Sequence, residues 1–377
     1  MTQKILYLVS EDWYFVSHRL PMARAARRAG YEVHVATHID KCAVQIEREG
    51  FILHQIRWRR GGMNPFRLLG AVMETRSLYL RLRPDLVHHV AVVSTVIGSL
   101  AALALPMQKL NAFAGLGFTF ASATAKAQTL RALAAIMLGW LLRRPNSTVL
   151  VQNPDDCATI EKHGVPRDHI AIIPGSGVDV DALTPLPDPD GPDTIGFAGR
   201  LLDVKGVQTL VRAHEILMGR GVAVRLLIAG RPDASNPSSI PEHVLAGWRQ
   251  QPNLVLLGHI DEIRTLWAQA HIAIQPSLGG EGAPMSLLEA AACGRPLIAT
   301  DVPGCREIAR PGVNALLVPA NDPGALADAI ENLMKDRTMR SRFGSASRKL
   351  AVDEFSSAKI GREIVALYTR LLKRSAA

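Results

Sequence analysis

Two glutamates separated by seven residues stand in the segment richest in chemistry, Glu281-Gly-Ala-Pro-Met-Ser-Leu-Leu-Glu289, which continues Ala-Ala-Ala-Cys-Gly-Arg-Pro. Gly279 and Gly280 precede the first carboxylate, and glycine lets a backbone come close to a ligand. Pro284 suits the first turn of a helix expected over Ser286–Cys293. The N–H groups around Gly282, Ala283 and Met285 then lie unbonded at the positive end of a helix dipole, which favours a phosphate or the charge on a leaving group. The plainer reading is a solvated loop and a glutamate in a first helical turn.

The second concentration is Phe197-Ala-Gly199-Arg200 with Lys205-Gly206, directly after an expected strand. A planar guanidinium and a flexible ammonium five residues apart can grip a pyrophosphate from two sides. Taken alone, they are also ordinary surface residues. His18, His88 and His89 are candidates for proton handling or sugar contact. A histidine at a strand end is, more commonly, a hydrogen-bonded packing residue.

The elements that must hold these groups follow from short apolar runs alternating with helical stretches, the pattern of parallel α/β structure. Strands are expected at Lys4–Ser10, Glu32–Thr37, Asp85–Val90, Leu110–Phe113, Ser147–Gln152 and Ile170–Pro174, with a helix over Arg19–Arg28 stopped at Gly30. A Pro- and Asp-rich stretch, 181–193, reads as a linker. A second series follows: strands at Thr194–Ala198, Val224–Ala229, Leu254–Leu257, Ile272–Gln275, Pro296–Thr300 and Ala315–Val318, with helices at Val207–Met218 and Ile263–Gln269. The expected division is residues 1–180, the linker, residues 194–360, and a last helix over 361–377 that packs back on the first domain. Two doubly wound parallel sheets put ligands at the carboxyl ends of their strands, facing each other across a central cleft. No Gly-x-Gly-x-x-Gly follows the first strand, which weighs against a dinucleotide oxidoreductase.

At roughly 100–200 residues per domain, 377 residues suggest two. No stretch reaches the ~18 apolar residues of a spanning helix. The longest candidate, Val92–Leu105, is interrupted by Ser94, Thr95 and Ser99. The N-terminus lacks a signal-peptide pattern. Cys42, Cys157, Cys293 and Cys305 are far apart, suggesting neither zinc nor disulfides and a reducing cytoplasm. Residues 1–145 hold 19 Lys and Arg against 8 Asp and Glu, whereas the remainder holds 24 against 26. A basic front half meets something anionic. Arg57-Trp58-Arg59-Arg60, Lys126 with Arg131, and Trp140 with Arg143-Arg144 combine cations with aromatic and apolar faces, as suits an anionic membrane. The competing view is an ordinary buried helix at Ala132–Leu142 and solvated arginines.

Gly199-Arg200…Lys205-Gly206, Pro276-Ser277…Glu281-Gly282…Leu288-Glu289-Ala290…Gly294-Arg295-Pro296 and Thr300-Asp301-Val302-Pro303-Gly304…Glu307 together resemble the donor half of glycosyltransferase family 4, of GT-B fold. Asn314-Ala-Leu-Leu-Val318 and Glu354-Phe-Ser356 fit the same pattern. Glu11-Asp-Trp-Tyr-Phe-Val-Ser-His-Arg19, Pro84-Asp-Leu-Val-His-His89, Gly115-Leu-Gly117 and Gln152-Asn-Pro-Asp155 resemble a narrower branch, the capsular-polysaccharide and bacillosamine-lipid glycosyltransferases.

The resemblance implies a retaining, metal-independent transfer of a hexose or N-acetylhexosamine from a nucleotide-sugar, by preference uridine-linked, to a polyprenyl-diphosphate-linked saccharide. The enzyme would sit at the inner face of the cytoplasmic membrane. Arg200 and Lys205, beside Gly199, would neutralise the leaving diphosphate. Glu289 would hold the ribose hydroxyls, and Glu281 would contact the transferred sugar at the reaction centre. Gly282, Ala283, Pro284 and Met285 would line the donor, and the backbone at Gly258 and Ile260 would read the base. Trp13, His18, His88, His89, Gly115 and Gly117 would lie on the acceptor side. Two positions depart from the pattern, Ala114 where relatives carry histidine and Val93 where close relatives carry lysine. Asp179-Val-Asp181 has the spacing of a metal-binding Asp-x-Asp but resembles the family's hinge. No cofactor and no nucleic acid are expected, the latter because no reading module accompanies the charge. The competing enzyme of the same architecture is a nucleotide-sugar 2-epimerase.

Overall fold

The computed structural model describes residues 2–59, 64–115, 136–233 and 236–374. Contacts divide them into two units, one drawn from residues up to 177 together with those from 357 on, the other from 178 to 356. In the first unit, β1 (Lys4–Glu11), β2 (Glu32–His38), β3 (Ile52–Gln55), β4 (Leu86–Val90), β5 (Gln108–Ala112), β6 (Ser147–Val151) and β7 (Ile170–Ile172) form one sheet. Its order is β3-β2-β1-β4-β5-β6-β7 and every pairing is parallel. In the second unit, β8 (Thr194–Ala198), β9 (Arg225–Ala229), β10 (Leu254–Gly258), β11 (Ile272–Gln275), β12 (Leu297–Thr300) and β13 (Ala315–Val318) pair in the order β10-β9-β8-β11-β12-β13, again in parallel.

Each sheet thus runs outward from its first strand, then reverses: β1 lies beside β4, and β8 beside β11. Those two junctions are the topological switch points, where loops diverge to opposite faces and leave room for a ligand. Both faces of each sheet are covered, which is why the strands read as continuous apolar runs. In β1, Ile5, Tyr7 and Val9 pack with Phe15, Ile364 and Tyr368, whereas Leu6 and Leu8 pack on the other face with Trp58, Leu78 and Ile97.

The chain passes between units at Gly177–Val178, ahead of the expected linker. Segment 181–193 instead belongs to the second unit. Its prolines leave carbonyls unpaired, and arginines bind them: Arg348 donates to Val180 and Leu183, and Arg295 to Pro187. The return falls at Ser356–Ser357, and the helix Ser357–Arg374 packs against Leu20–Arg28 in the first unit. Its Ile360, Ile364, Leu367, Tyr368 and Leu371 share one helical face and are buried. Gly361 permits the close crossing, since a Cβ there would stand 2.7 Å from Ala25 Cβ.

Elements not foreseen include β3 and the helices Asp12–His18, Ala43–Arg48, Pro65–Leu82, Pro154–Lys162, Glu242–Trp248 and Cys305–Ile308. The apolar run from Val92 forms the helix Ala91–Ala101, and among the described residues no helix is long and apolar enough to cross a membrane.

Candidate functional site

The loop after β8 carries Arg200 and Lys205 and the loop after β11 carries Glu281, and the adjacency of these strands brings Lys205 to Glu281. The Lys205 ammonium lies 2.6 Å from Glu281 Oε1. Backbone contacts lace the two loops: Leu278 N–H donates to the Val204 carbonyl at 2.9 Å. Gly206 takes a left-handed φ of 68° against the Pro276 carbonyl, where a Cβ would approach to 1.8 Å. No side chain fits there, which explains the glycine after Lys205. On the other flank Gly304, at φ 82°, packs on the carbonyls of Glu281 and Gly282, 2.5 and 2.2 Å from an ideal Cβ.

Glu281 is only 8% exposed and is held from several sides. Ser277 Oγ donates to its Oε1 at 2.5 Å, and Gln275 Nε2 approaches the same oxygen at 3.4 Å. Gln275 also donates to Ser277 Oγ at 2.7 Å and accepts from Ser286 Oγ at 2.7 Å. Thr300 Oγ1 donates to the Ser277 carbonyl at 2.5 Å. Glu281 Oε1 is thus gripped together by Lys205, Ser277 and Gln275. Sequence reasoning missed Gln275, Ser277, Ser286 and Thr300 as parts of the site. The signal was a polar Gln275 and Ser277 closing an otherwise apolar strand.

Arg200 donates to Asp233 Oδ2 at 2.9 Å, across to the loop after β9. Gly199 N–H bonds the Ala229 carbonyl at 3.0 Å, and Gly230 crosses the Gly199 carbonyl so closely that a Cβ would lie 1.8 Å away. Both expected clamp cations are therefore present in one loop, each resting on a carboxylate.

The helix after Glu281 runs Met285–Ala292, with Pro284 at its N-cap rather than in its first turn. No side chain caps its first-turn amides, and it begins at Met285, one residue ahead of the helix expected from sequence. Glu289 lies on this helix, partly exposed, and desolvation by the surrounding protein pushes its carboxyl up to about 7. Gly258 ends β10 with φ 69°, and its carbonyl accepts from Gly230 N–H at 2.7 Å. Ile260 packs partly buried on the second unit's core.

The first unit's switch point has a different character. His88 and His89 are fully buried. His88 Nδ1 bonds Tyr368 Oη at 2.7 Å, and Tyr368 bonds Tyr7 Oη at 2.7 Å. Burial holds His88 well below the usual histidine range, with Arg19 adding to the effect. His89 bridges Tyr79 and Asn111 at 2.9 and 2.7 Å, and burial pushes it down to about 4. Burial thus favours the neutral form of both rings. His18 stacks on Tyr14 at 4.2 Å, and Trp13 meets Tyr14 edge-on at 5.7 Å. Gly115 has φ 85°. Gly117, Arg60, Lys126 and Arg131 lie outside the described residues.

Asp12, beside Trp13, anchors this region. Its Oδ2 accepts from the N–H groups of Asp40, Lys41 and Cys42 at 2.8 Å each, and Oδ1 from Trp13. Burial pushes the carboxyl up, but these four amides outweigh it and hold Asp12 below the usual range. Asp179 Oδ1 likewise accepts from the backbone of Asp181 and Ala182, so this Asp-x-Asp serves as a turn cap. No group of three or more candidate metal ligands converges among the described residues.

Residues 4–153 match the family described as "Glycosyl transferase 4-like", and residues 192–336 the family described as "Glycosyl transferases group 1". Among curated proteins, the capsular polysaccharide biosynthesis glycosyltransferase CapM of Staphylococcus aureus is 31% identical over 181 residues, 48% of this chain and 47% of CapM. The chain spans about half the length of the first curated relatives that it matches. Among solved structures, the sucrose-phosphate synthase of Thermosynechococcus elongatus superposes with a TM-score of 0.83 at 21% identity, over 99% of this chain and 100% of the other. Anabaena Alr3699/HepE, in complex with UDP and glucose, gives 0.78 at 17% identity, over 97% and 99%. The two Rossmann-like parallel-sheet units thus share the GT-B fold of these solved structures, and each half of the chain carries a match to a glycosyltransferase family model.

Proposed function

We propose that the chain is a retaining, metal-independent glycosyltransferase of family 4 type. It moves a hexose or N-acetylhexosamine from a uridine-linked nucleotide-sugar to a polyprenyl-diphosphate-linked saccharide in cell-surface polysaccharide assembly, at the inner face of the cytoplasmic membrane. The observation that carries this reading is the 2.6 Å contact of Lys205 with a buried Glu281 at the β8–β11 switch point, next to an uncapped helix start. A cation beside uncapped amides suits a departing nucleoside diphosphate, because both stabilise charge that grows as the bond breaks.

In this reading Lys205 and Arg200 turn from their carboxylates toward the diphosphate. That frees Glu281 to face the sugar, where its charge stabilises the developing oxocarbenium while the acceptor hydroxyl attacks on the leaving-group face. Retention of configuration follows from attack on that face. Glu289 accepts hydrogen bonds from the ribose hydroxyls. CapM acts in capsular polysaccharide biosynthesis and HepE was solved with UDP, which supports the proposed product class and base.

A thermal-shift panel of nucleoside diphosphates and nucleotide-sugars tests the donor, since a ligand bound only by the folded form raises its stability predictably. Uridine compounds are expected to lead. Glu281→Ala is expected to lower turnover severely and Glu289→Ala chiefly to weaken donor affinity. Unchanged turnover and affinity in both variants would refute the assignment. Incubation with donor alone, followed by sugar analysis, separates transfer from 2-epimerisation.

A further inference from the structure

We propose that the helix Pro65–Leu82 is the face by which this chain lies on an anionic phospholipid bilayer, its apolar stripe in the headgroup–acyl boundary and neighbouring arginines on lipid phosphates. The proposal rests on the lipid-linked acceptor reading only for its purpose, since the evidence for the surface is independent of the donor site.

The helix has two apolar faces. Ala71, Thr75, Leu78 and Tyr79 are buried and pack with Leu6, Leu8, Ile56 and Trp58. On another face Phe66 is 85% exposed, Leu69 58%, Met73 63% and Leu80 52%. Steps of three, four and seven residues put these four in one stripe along the helix. A surface helix in a globular protein ordinarily has a single apolar stripe, turned to the core. Four large side chains in a contiguous exposed row mark an interaction surface.

Charge complementarity identifies the occupant. The groove between this helix and the segment after β3 is lined by Arg57, Arg59, Arg67 and Arg81, against a single acid, Glu74. Glu74 is itself engaged by the Arg57 backbone N–H at 3.1 Å. Arg57, Arg59 and Arg81 are exposed. An apolar stripe bordered by cations is the pattern of a helix lying in the plane of an anionic membrane. The charges within the helix, Arg67, Glu74, Arg76 and Arg81, forbid it from crossing one. The surface differs from the one expected from sequence, in which Trp58 and Trp140 were the interfacial aromatics. Trp58 is buried and its indole N–H meets Thr75 Oγ1 at 3.3 Å, so Phe66 takes that part.

The test is flotation of the full chain with vesicles of phosphatidylcholine alone or mixed equally with phosphatidylglycerol, at low salt. The wild-type chain is expected on the anionic vesicles only. Leu69→Asp with Met73→Asp should lower the partition coefficient at least tenfold. Arg57→Gln, Arg59→Gln and Arg81→Gln together should lower it about a hundredfold, each cation near the surface contributing about fivefold. Leu69→Ser with Met73→Ser gives a milder second pair at solvent-facing positions, and melting curves establish that each variant is folded. Folded stripe variants that bind like wild type would overturn the proposal. So would a wild-type chain that stays with the buffer, or a wild-type dimer that the stripe variants split, since a second copy would then cover the face. Failure of the donor reading looks different: vesicle binding persists while uridine nucleotides give no thermal shift.

Discussion

Replacing Lys205 with methionine keeps most of its length and apolar stem but removes the cation facing Glu281. The carboxylate is 8% exposed and would retain only the neutral donors Ser277 and Gln275. Breaking a buried pair from one side costs about 3–5 kcal/mol. Lys205 has a side chain 22% exposed, so water offsets part of this and about 2–3 kcal/mol is expected. In a unit of this size each kcal/mol moves Tm by about 2–4 °C, which gives a drop of about 5–10 °C. Glu281→Gln removes the charge and keeps an oxygen for Ser277. The double variant Lys205→Met, Glu281→Gln should therefore recover most of the loss, with a coupling of about 2 kcal/mol between the two sites. Calorimetric unfolding of the four proteins in the cycle reads that coupling. A value under about 0.5 kcal/mol, the usual scatter of independent sites, would refute the electrostatic account of this contact.

Glu289, with its carboxyl at about 7 against ~4.3 in an unfolded chain, binds its proton more tightly when folded. Stability from this group is full below the unfolded value and falls as pH rises through about 7. Urea midpoints at pH 5 and pH 8 should show that slope flattened in Glu289→Gln. If Glu289 binds ribose hydroxyls as a carboxylate, uridine diphosphate affinity should weaken below about pH 7 in the wild type, and more steeply than in Glu289→Gln, by calorimetric titration. Asp12 has the opposite sign: its folded value is lowered, so its contribution is present above ~3.9 and disappears as pH falls through the folded value. Asp12→Ala leaves the amides of Asp40, Lys41 and Cys42 without their acceptor and should cost about 2–4 kcal/mol in chemical denaturation. Gly206→Ala forces a Cβ toward the Pro276 carbonyl and should abolish the donor-induced thermal shift, while Gly219→Ala, at an open helix end, should not.

The strands and their doubling into two sheets were legible because a parallel strand covered on both faces is a short, unbroken apolar run. β3 escaped notice because Ile52-Leu-His-Gln55 is an edge strand, half exposed and without that signature. The helix Pro65–Leu82 escaped because its apolar residues fall on two faces and blur the single stripe that periodicity detects. Glu281, Arg200 and Lys205 were legible through residue type and motif order. Their partners were not. Asp233 follows a different strand, and its pairing with Arg200 depends on β9 lying next to β8, which one-dimensional spacing does not encode. His88 and His89 looked chemical by type, but a type does not report burial. Only the packing of Tyr368 from the far end of the chain reveals that His88 is enclosed.

The same topology produces two switch points of opposite chemistry, and the contrast bears on which unit takes the donor. At β8–β11 the loops present Arg200, Lys205, Glu281 and an uncapped helix start, polar groups with partners that a diphosphate can replace. Within the first sheet, Tyr7 of β1 stacks on its register partner His88 of β4, and Tyr368 hydrogen-bonds both. Arg19 is 1% exposed there and donates to the His18 carbonyl and Ser176 Oγ. Burial, with the neighbouring Arg19 cation, holds His88 well below the usual histidine range. In the second unit the charged site groups Arg200, Lys205, Asp233 and Glu281 sit on loops after β8, β9 and β11, whereas the strands are apolar core. That makes the loops after β8 and β11, rather than the sheets, the place where altered donor preference should be sought.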